Sequence, residues 1–113
     1  MNSSILFSQR FRKDVKELSK KYPSMLEDLR SFVSDLYANP FMGTQLGNNL
    51  RKVRFHITSK GKGKSGGARV ITHTVLFSSD GANVTLLTMY DKSERETISN
   101  QELTQLLKNN ELI

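Results

Sequence analysis

Apolar residues recur three and four positions apart from Phe7 to Tyr22, through Phe11, Val15 and Leu18, with Arg10, Arg12, Lys13, Lys16 and Lys20 between them. That spacing predicts an amphipathic helix with one buried stripe. Residues 5–7, just ahead of it, predict a short strand. Pro23 suits the opening of a second helix, whose stripe is Met25, Leu26, Leu29, Phe32, Val33 and Leu36. Asn39-Pro40 ends it, because the residue before a proline avoids the helical region. Gly43 and Gly47 then mark an irregular connection.

Beyond them the period changes from near four to two. Val53, Phe55 and Ile57 alternate with Lys52, Arg54 and His56, the pattern of a half-buried strand with a basic outer face. A glycine-rich loop follows at 61–67. Residues 70–77 and 84–90 are rich in β-branched and aromatic side chains and predict two more strands, joined by a turn at Asp80-Gly81. Ser99 and Glu102 stand in capping-box spacing ahead of Leu103, Leu106 and Leu107, which predicts a short last helix. The expected fold class is α+β. Two N-terminal helices pack on one face of a small antiparallel sheet of three to four strands, followed by a short C-terminal helix. The other sheet face is expected to be open and basic.

At 113 residues and 36% hydrophobic content the chain reads as a single domain, 1–113. That length buries roughly two-thirds of the unfolded surface in one core. Cysteine is absent, which removes disulfides, thiolate metal sites and a cysteine nucleophile, and fits a reducing cytosol. No apolar run approaches the length of a membrane span, and residues 1–7 do not read as a secretion signal. His56 and His73 have no nearby carboxylates in sequence, so neither a metal nor a cofactor is implied.

Charge changes this picture. From Leu36 to Ser79 there is no acidic residue, but Arg51, Lys52, Arg54, Lys60, Lys62, Lys64 and Arg69 all fall there. The other 69 residues carry ten basic and eleven acidic side chains. A polyanion is the natural partner of such a block, because neutralising phosphates releases condensed counterions. The bland reading is a solvated basic surface. Strand periodicity argues for more, since it sets Lys52, Arg54 and His56 in one row at roughly 6–7 Å intervals. Arg69 joins that row if its strand pairs alongside, and Lys92 closes it from the far side.

Gly63-Lys64-Ser65 is not a nucleotide-binding P-loop. Thr58 stands where the first glycine belongs, and a strand rather than a helix follows. Lys60, Lys62 and Lys64 are read instead as contacts to a phosphate chain. His56, and less so His73, are candidate general bases. Tyr90 could stack on a base or pack in the core.

Lys60-Gly-Lys-Gly-Lys-Ser-Gly-Gly-Ala-Arg-Val-Ile71, followed by Leu86-Leu-Thr-Met-Tyr-Asp-Lys-Ser-Glu94, resembles the RelE/HigB superfamily of toxins from bacterial type II toxin–antitoxin modules, the HigB-like branch in particular. The resemblance covers nearly the whole chain. It implies a compact fold like that of microbial ribonucleases and a bacterial cytoplasmic protein. It also implies a ribosome-dependent endoribonuclease that cleaves mRNA in the A site and stops translation. The substrate's own 2′-hydroxyl is the nucleophile in such cleavage, so no metal or other cofactor is called for. The implied partners are the 70S ribosome with its mRNA and a cognate antitoxin, expected to carry a helix-turn-helix DNA-binding domain. Lys52 and Arg54 match the family's paired basic strand residues, Arg69 the arginine of the next strand, and Lys92 a later basic position. A later tyrosine of the family falls near Ile98, so its work would pass to Tyr90 or His56, or to the lysines and arginines alone.

Two readings of other classes stand beside this one. A toxin on the same fold could inhibit a protein such as DNA gyrase, as the ParE branch does. A basic ribosome- or RNA-binding module could act without catalysis.

Overall fold

Ser8 decides where the first helix starts. Its Oγ accepts the Phe11 N–H (3.0 Å) and donates to the Leu87 carbonyl (2.9 Å), so the N-cap is also an anchor to the sheet. The computed structural model describes residues 3–60 and 67–113. In chain order the elements are β1 (Ser4–Phe7), α1 (Gln9–Lys21), α2 (Met25–Ala38), β2 (Thr44–Gly47), β3 (Leu50–Phe55), a 3₁₀ turn (Thr58–Lys60), β4 (Ala68–Ser78), β5 (Gly81–Asp91) and α3 (Asn100–Asn109).

The fold is α+β, as expected, but the sheet has five strands in the order β1-β5-β4-β3-β2. It is mixed rather than antiparallel, because β1 pairs parallel to β5. The extra strand, β2, replaces the irregular connection expected after Asn39-Pro40. It is a four-residue edge strand that turns back into β3 through Asn48 and Asn49, both in the left-handed region (φ 53° and 65°). Asparagine tolerates that conformation, which a two-residue hairpin of matching twist requires. Gly43 at the entry to β2 has φ +103°, and a Cβ there would meet Val53 Cγ2 at 2.7 Å and the Lys52 carbonyl oxygen at 2.8 Å. Only glycine lets the chain run this close to β3.

Two cores lie on opposite faces. Phe11, Val15, Leu18, Met25, Phe32 and Leu36 from α1 and α2 pack with Val53, Phe55, Val70, Leu86 and Met89. The neighbouring strand positions Leu50, Ile71, Leu87 and Tyr90 point the other way and pack with Ile98, Leu103, Leu106 and Leu107. The expectation of an open second face is therefore corrected: α3 covers part of it, and the end of that face near Lys52 and Arg54 stays uncovered. Ser99 caps α3 by accepting the Glu102 N–H (3.1 Å), whereas the Glu102 carboxylate binds Arg95 instead of closing the capping box.

β1 ends at Phe7, leaving the outer edge of β5 without a strand partner from there on. Asp14 of α1 fills the gap, accepting the Met89 N–H (3.0 Å) and the Thr88 hydroxyl (2.5 Å). A helix carboxylate thus protects the exposed edge from further strand pairing. Among the described residues no helix is long and apolar enough to cross a membrane.

Candidate active site

Strand register brings the basic residues together. Arg54 of β3 lies directly opposite Arg69 of β4, and Lys52 opposite Ile71. Lys52 is also opposite Thr44 of β2. These positions share one face with Leu50, so the polar end of that face continues the second core. Facing like charges across an antiparallel pair destabilise a sheet; an anion between the two guanidinium groups reverses the sign of that term.

A cleft of about 350 Å³ opens here, lined by Thr44, Lys52, Arg54, Arg69, Lys92, Glu96 and Thr97. That is room for a phosphate with part of its sugar. Arg69 is buried, and its Nη1 donates to the Ala68 carbonyl (3.1 Å), which holds the guanidinium against the sheet. Lys92 is placed by its backbone, whose N–H donates to Gly67 (3.1 Å) at the end of β4. Gly67 is itself crowded, since a Cβ there would lie 2.3 Å from the Phe55 carbonyl oxygen. The chain therefore closes tightly around the cleft's inner end.

Four of the candidate residues, Lys52, Arg54, Arg69 and Lys92, line this cleft; of the other described candidates, His56, Tyr90 and Lys60 are not in its lining. His56 lies one residue past the end of β3, exposed and outside the lining, because the strand stops at Phe55. His73 is buried in β4 between Leu50 and Thr85, where burial lowers its pKa. Tyr90 stands opposite Arg69 but is buried in the second core with the Arg95 guanidinium 5.4 Å from its ring centre. The ring is therefore packed in the core and under Arg95, the core alternative of the two expected for it. Burial pushes its pKa up, and the charges of Arg69 and Arg95 only partly offset this. Ile98, where the resemblance expects a tyrosine, is a core residue under α3.

Lys60 is engaged within the fold. Its Nζ donates to the buried carboxylate of Asp91 (2.9 Å), and the Tyr22 hydroxyl donates to the other oxygen (2.6 Å). Ser93 adds its N–H (2.9 Å) and hydroxyl (2.7 Å). Burial alone would raise the Asp91 pKa, but the hydrogen bonds from Tyr22, Ser93 and Lys60 prevail and hold it well below the usual carboxylate range. This cluster fastens α1, the 3₁₀ turn and the end of β5, and so fixes the residue before Lys92. Lys62 and Lys64 lie outside the described residues. Arg51, on the opposite face, stacks over Phe41 at 5.0 Å.

Three lining residues escaped the sequence reading. Thr44 belongs to the unforeseen strand β2. Glu96 and Thr97 follow Lys92 in a segment with no periodicity, organised by long-range contacts. Arg95 Nε donates to the Thr97 carbonyl (2.9 Å), and its Nη1 and Nη2 grip Glu102. No protein-family model matches the chain.

The cleft can hold a phosphodiester. Fixed cations on a rigid sheet stabilise charge that grows on phosphate oxygens, and the two threonine hydroxyls can donate to the same oxygens.

Proposed function

We propose that this protein is the toxin of a type II toxin–antitoxin module and acts as a ribosome-dependent mRNA endonuclease, in line with its resemblance to the RelE/HigB superfamily. The observation that carries the reading is the direct opposition of Arg54 and Arg69 within a cleft that Lys52 and Lys92 also line. Such an arrangement works against folding in the free protein and with it when a phosphate is bound, as expected of a site built for a polyanion.

In this mechanism the 2′-hydroxyl beside the scissile phosphate attacks phosphorus while Arg54 and Arg69 hold the non-bridging oxygens. Both guanidinium groups bind the dianionic phosphorane more strongly than the monoanionic diester, and that difference lowers the barrier. The 5′-oxygen departs with a proton from a cleft ammonium, Lys52 or Lys92, leaving a 2′,3′-cyclic phosphate and a 5′-hydroxyl. The metal-free chemistry makes the protein an endoribonuclease without a cofactor. A cognate antitoxin with an acidic segment suits the same cleft.

The test is to add purified protein to a translating bacterial extract and map mRNA 5′ ends by primer extension. Wild type is expected to produce new ends at A-site codons, and Arg54→Ala to lower their rate roughly 10²–10³-fold. Arrested translation without new ends would overturn the nuclease reading in favour of plain ribosome binding.

A second reading, inhibition of a protein target such as gyrase, is favoured by one observation. Val75, Leu76 and Phe77 form an exposed apolar run at the far end of β4. Loss of supercoiling activity with translation intact would select it.

A further inference from the structure

Cleavage through a 2′-hydroxyl needs a group that accepts its proton. Of the seven described residues lining the cleft, six are cations or hydroxyl-bearing groups unsuited to the task. Arginine offers no acceptor, an ammonium has no free electron pair, and threonine is not a base near neutrality. Lys52 and Arg54 from β3, Arg69 from β4, Lys92 after β5, and Thr44 and Thr97 are all of these kinds. Among the described residues, Glu96 is the one carboxylate in the lining. The imidazoles do not compete for the role, since His56 lies outside the cleft and His73 is buried in the sheet.

We propose that the Glu96 carboxylate is the general base of this cleft, an inference that rests on the endonuclease reading above. Two features suit it. The first is placement: Glu96 sits on a short span anchored at both ends. On one side the Glu94 and Arg95 N–H groups donate to the Asp91 carbonyl (3.0 and 3.1 Å), and Arg95 is held by Glu102, Thr97 and the Tyr90 ring. On the other, Ile98 is buried and Ser99 caps α3. The second is availability. Arg95 engages Glu102, Lys21 engages Glu94 (2.9 Å), and Lys60 engages Asp91, whereas Glu96 makes no ion pair among the described residues although four cations line the same cleft. Its oxygens are open to a substrate proton.

The proton balance closes. A Glu96 oxygen takes the O2′ proton as the O2′–phosphorus bond forms. The phosphorus–O5′ bond breaks with its electron pair on O5′, which takes a proton from Lys52 or Lys92. Exchange with solvent then returns both groups to their starting states.

The test is single-turnover cleavage of a defined mRNA on programmed 70S ribosomes by wild type, Glu96→Gln and Glu96→Asp, across pH. Glu96→Gln is expected to lose about 10²–10⁴-fold in rate, to bind ribosomes as wild type does, and to lack the acid limb of the wild-type pH–rate profile. Glu96→Asp, which keeps the carboxylate, is expected to retain that limb with an intermediate rate. Position 96 is exposed, so unchanged thermal unfolding serves as the folding control. A Glu96→Gln protein that cuts at the wild-type rate, or that keeps the acid limb, would overturn the assignment while leaving the endonuclease reading standing. A wild-type protein that cuts nothing would overturn both.

Discussion

Asp91 is where residue-level physics sets the shape of the cleft. Its carboxylate is fully buried and accepts from Tyr22, Lys60 and Ser93, and the next residue is Lys92. An ordinary aspartate titrates near 4. In the folded protein this one is held lower, so the unfolded chain binds its proton more readily. The stability it confers is complete above about pH 4 and is lost as pH falls below that value. Asp28 acts in the same sense: burial raises its pKa, but hydrogen bonds from Thr58 and Ser24 outweigh it. Asp91→Asn is expected to lower stability by about 3 kcal/mol at pH 7, since it removes the buried negative charge that the Lys60 ammonium faces. Urea unfolding at pH 7 and at pH 3 checks this. The gap between variant and wild type is expected to narrow at the lower pH, and a constant gap would contradict the assignment. None of this was readable from the sequence, because Lys60 and Asp91 lie 31 residues apart. Lys60 looked like one more lysine of a basic loop.

Elements built from a clear period were legible, and those built from close approach were not. The stripe of α1, the alternation of β3 and the cap of α3 each follow from spacing that local physics enforces. β2 has four exposed residues and no alternation, so its only local sign was the Asn48-Asn49 pair. The parallel partnership of β1 with β5 joins distant segments and leaves no short-range mark. The second core was hidden in plain alternation: Leu50 and Ile71 share the period-two face of Lys52, Arg54 and Arg69, and they require a helix over them. Lys52, Arg54 and Arg69 were legible as a row for the same reason, while Thr44 and Glu96 depended on elements whose placement only the fold supplies. Gly43 offers a test at this scale. Gly43→Ala is expected to destabilise by about 1–3 kcal/mol and to loosen β2 from β3, which moves Thr44 out of the cleft. Hydrogen exchange of the β2 amides reads this directly; unchanged protection would contradict the role given to Gly43.

At the scale of the whole molecule, a formal charge of +6 is less informative than how the charges are distributed. Arg51 stacks on Phe41 and Lys60 neutralises Asp91, whereas Lys52, Arg54, Arg69 and Lys92 converge on one cleft. Binding to single-stranded RNA is therefore expected to depend on a few phosphate contacts. Lys52→Ala is expected to reduce the slope of log affinity against log salt by about 0.7, measured by fluorescence anisotropy with a short RNA. An unchanged slope would remove Lys52 from the phosphate contacts. Under the proposed function, this cleft cuts RNA through the substrate's own 2′-hydroxyl. The most direct measurement uses programmed 70S ribosomes carrying an mRNA with a single 2′-deoxynucleotide at the cut position, beside the all-ribose mRNA. Cleavage of the ribose mRNA is expected, with none at the deoxy position. Equal cleavage of the two would contradict the proposal.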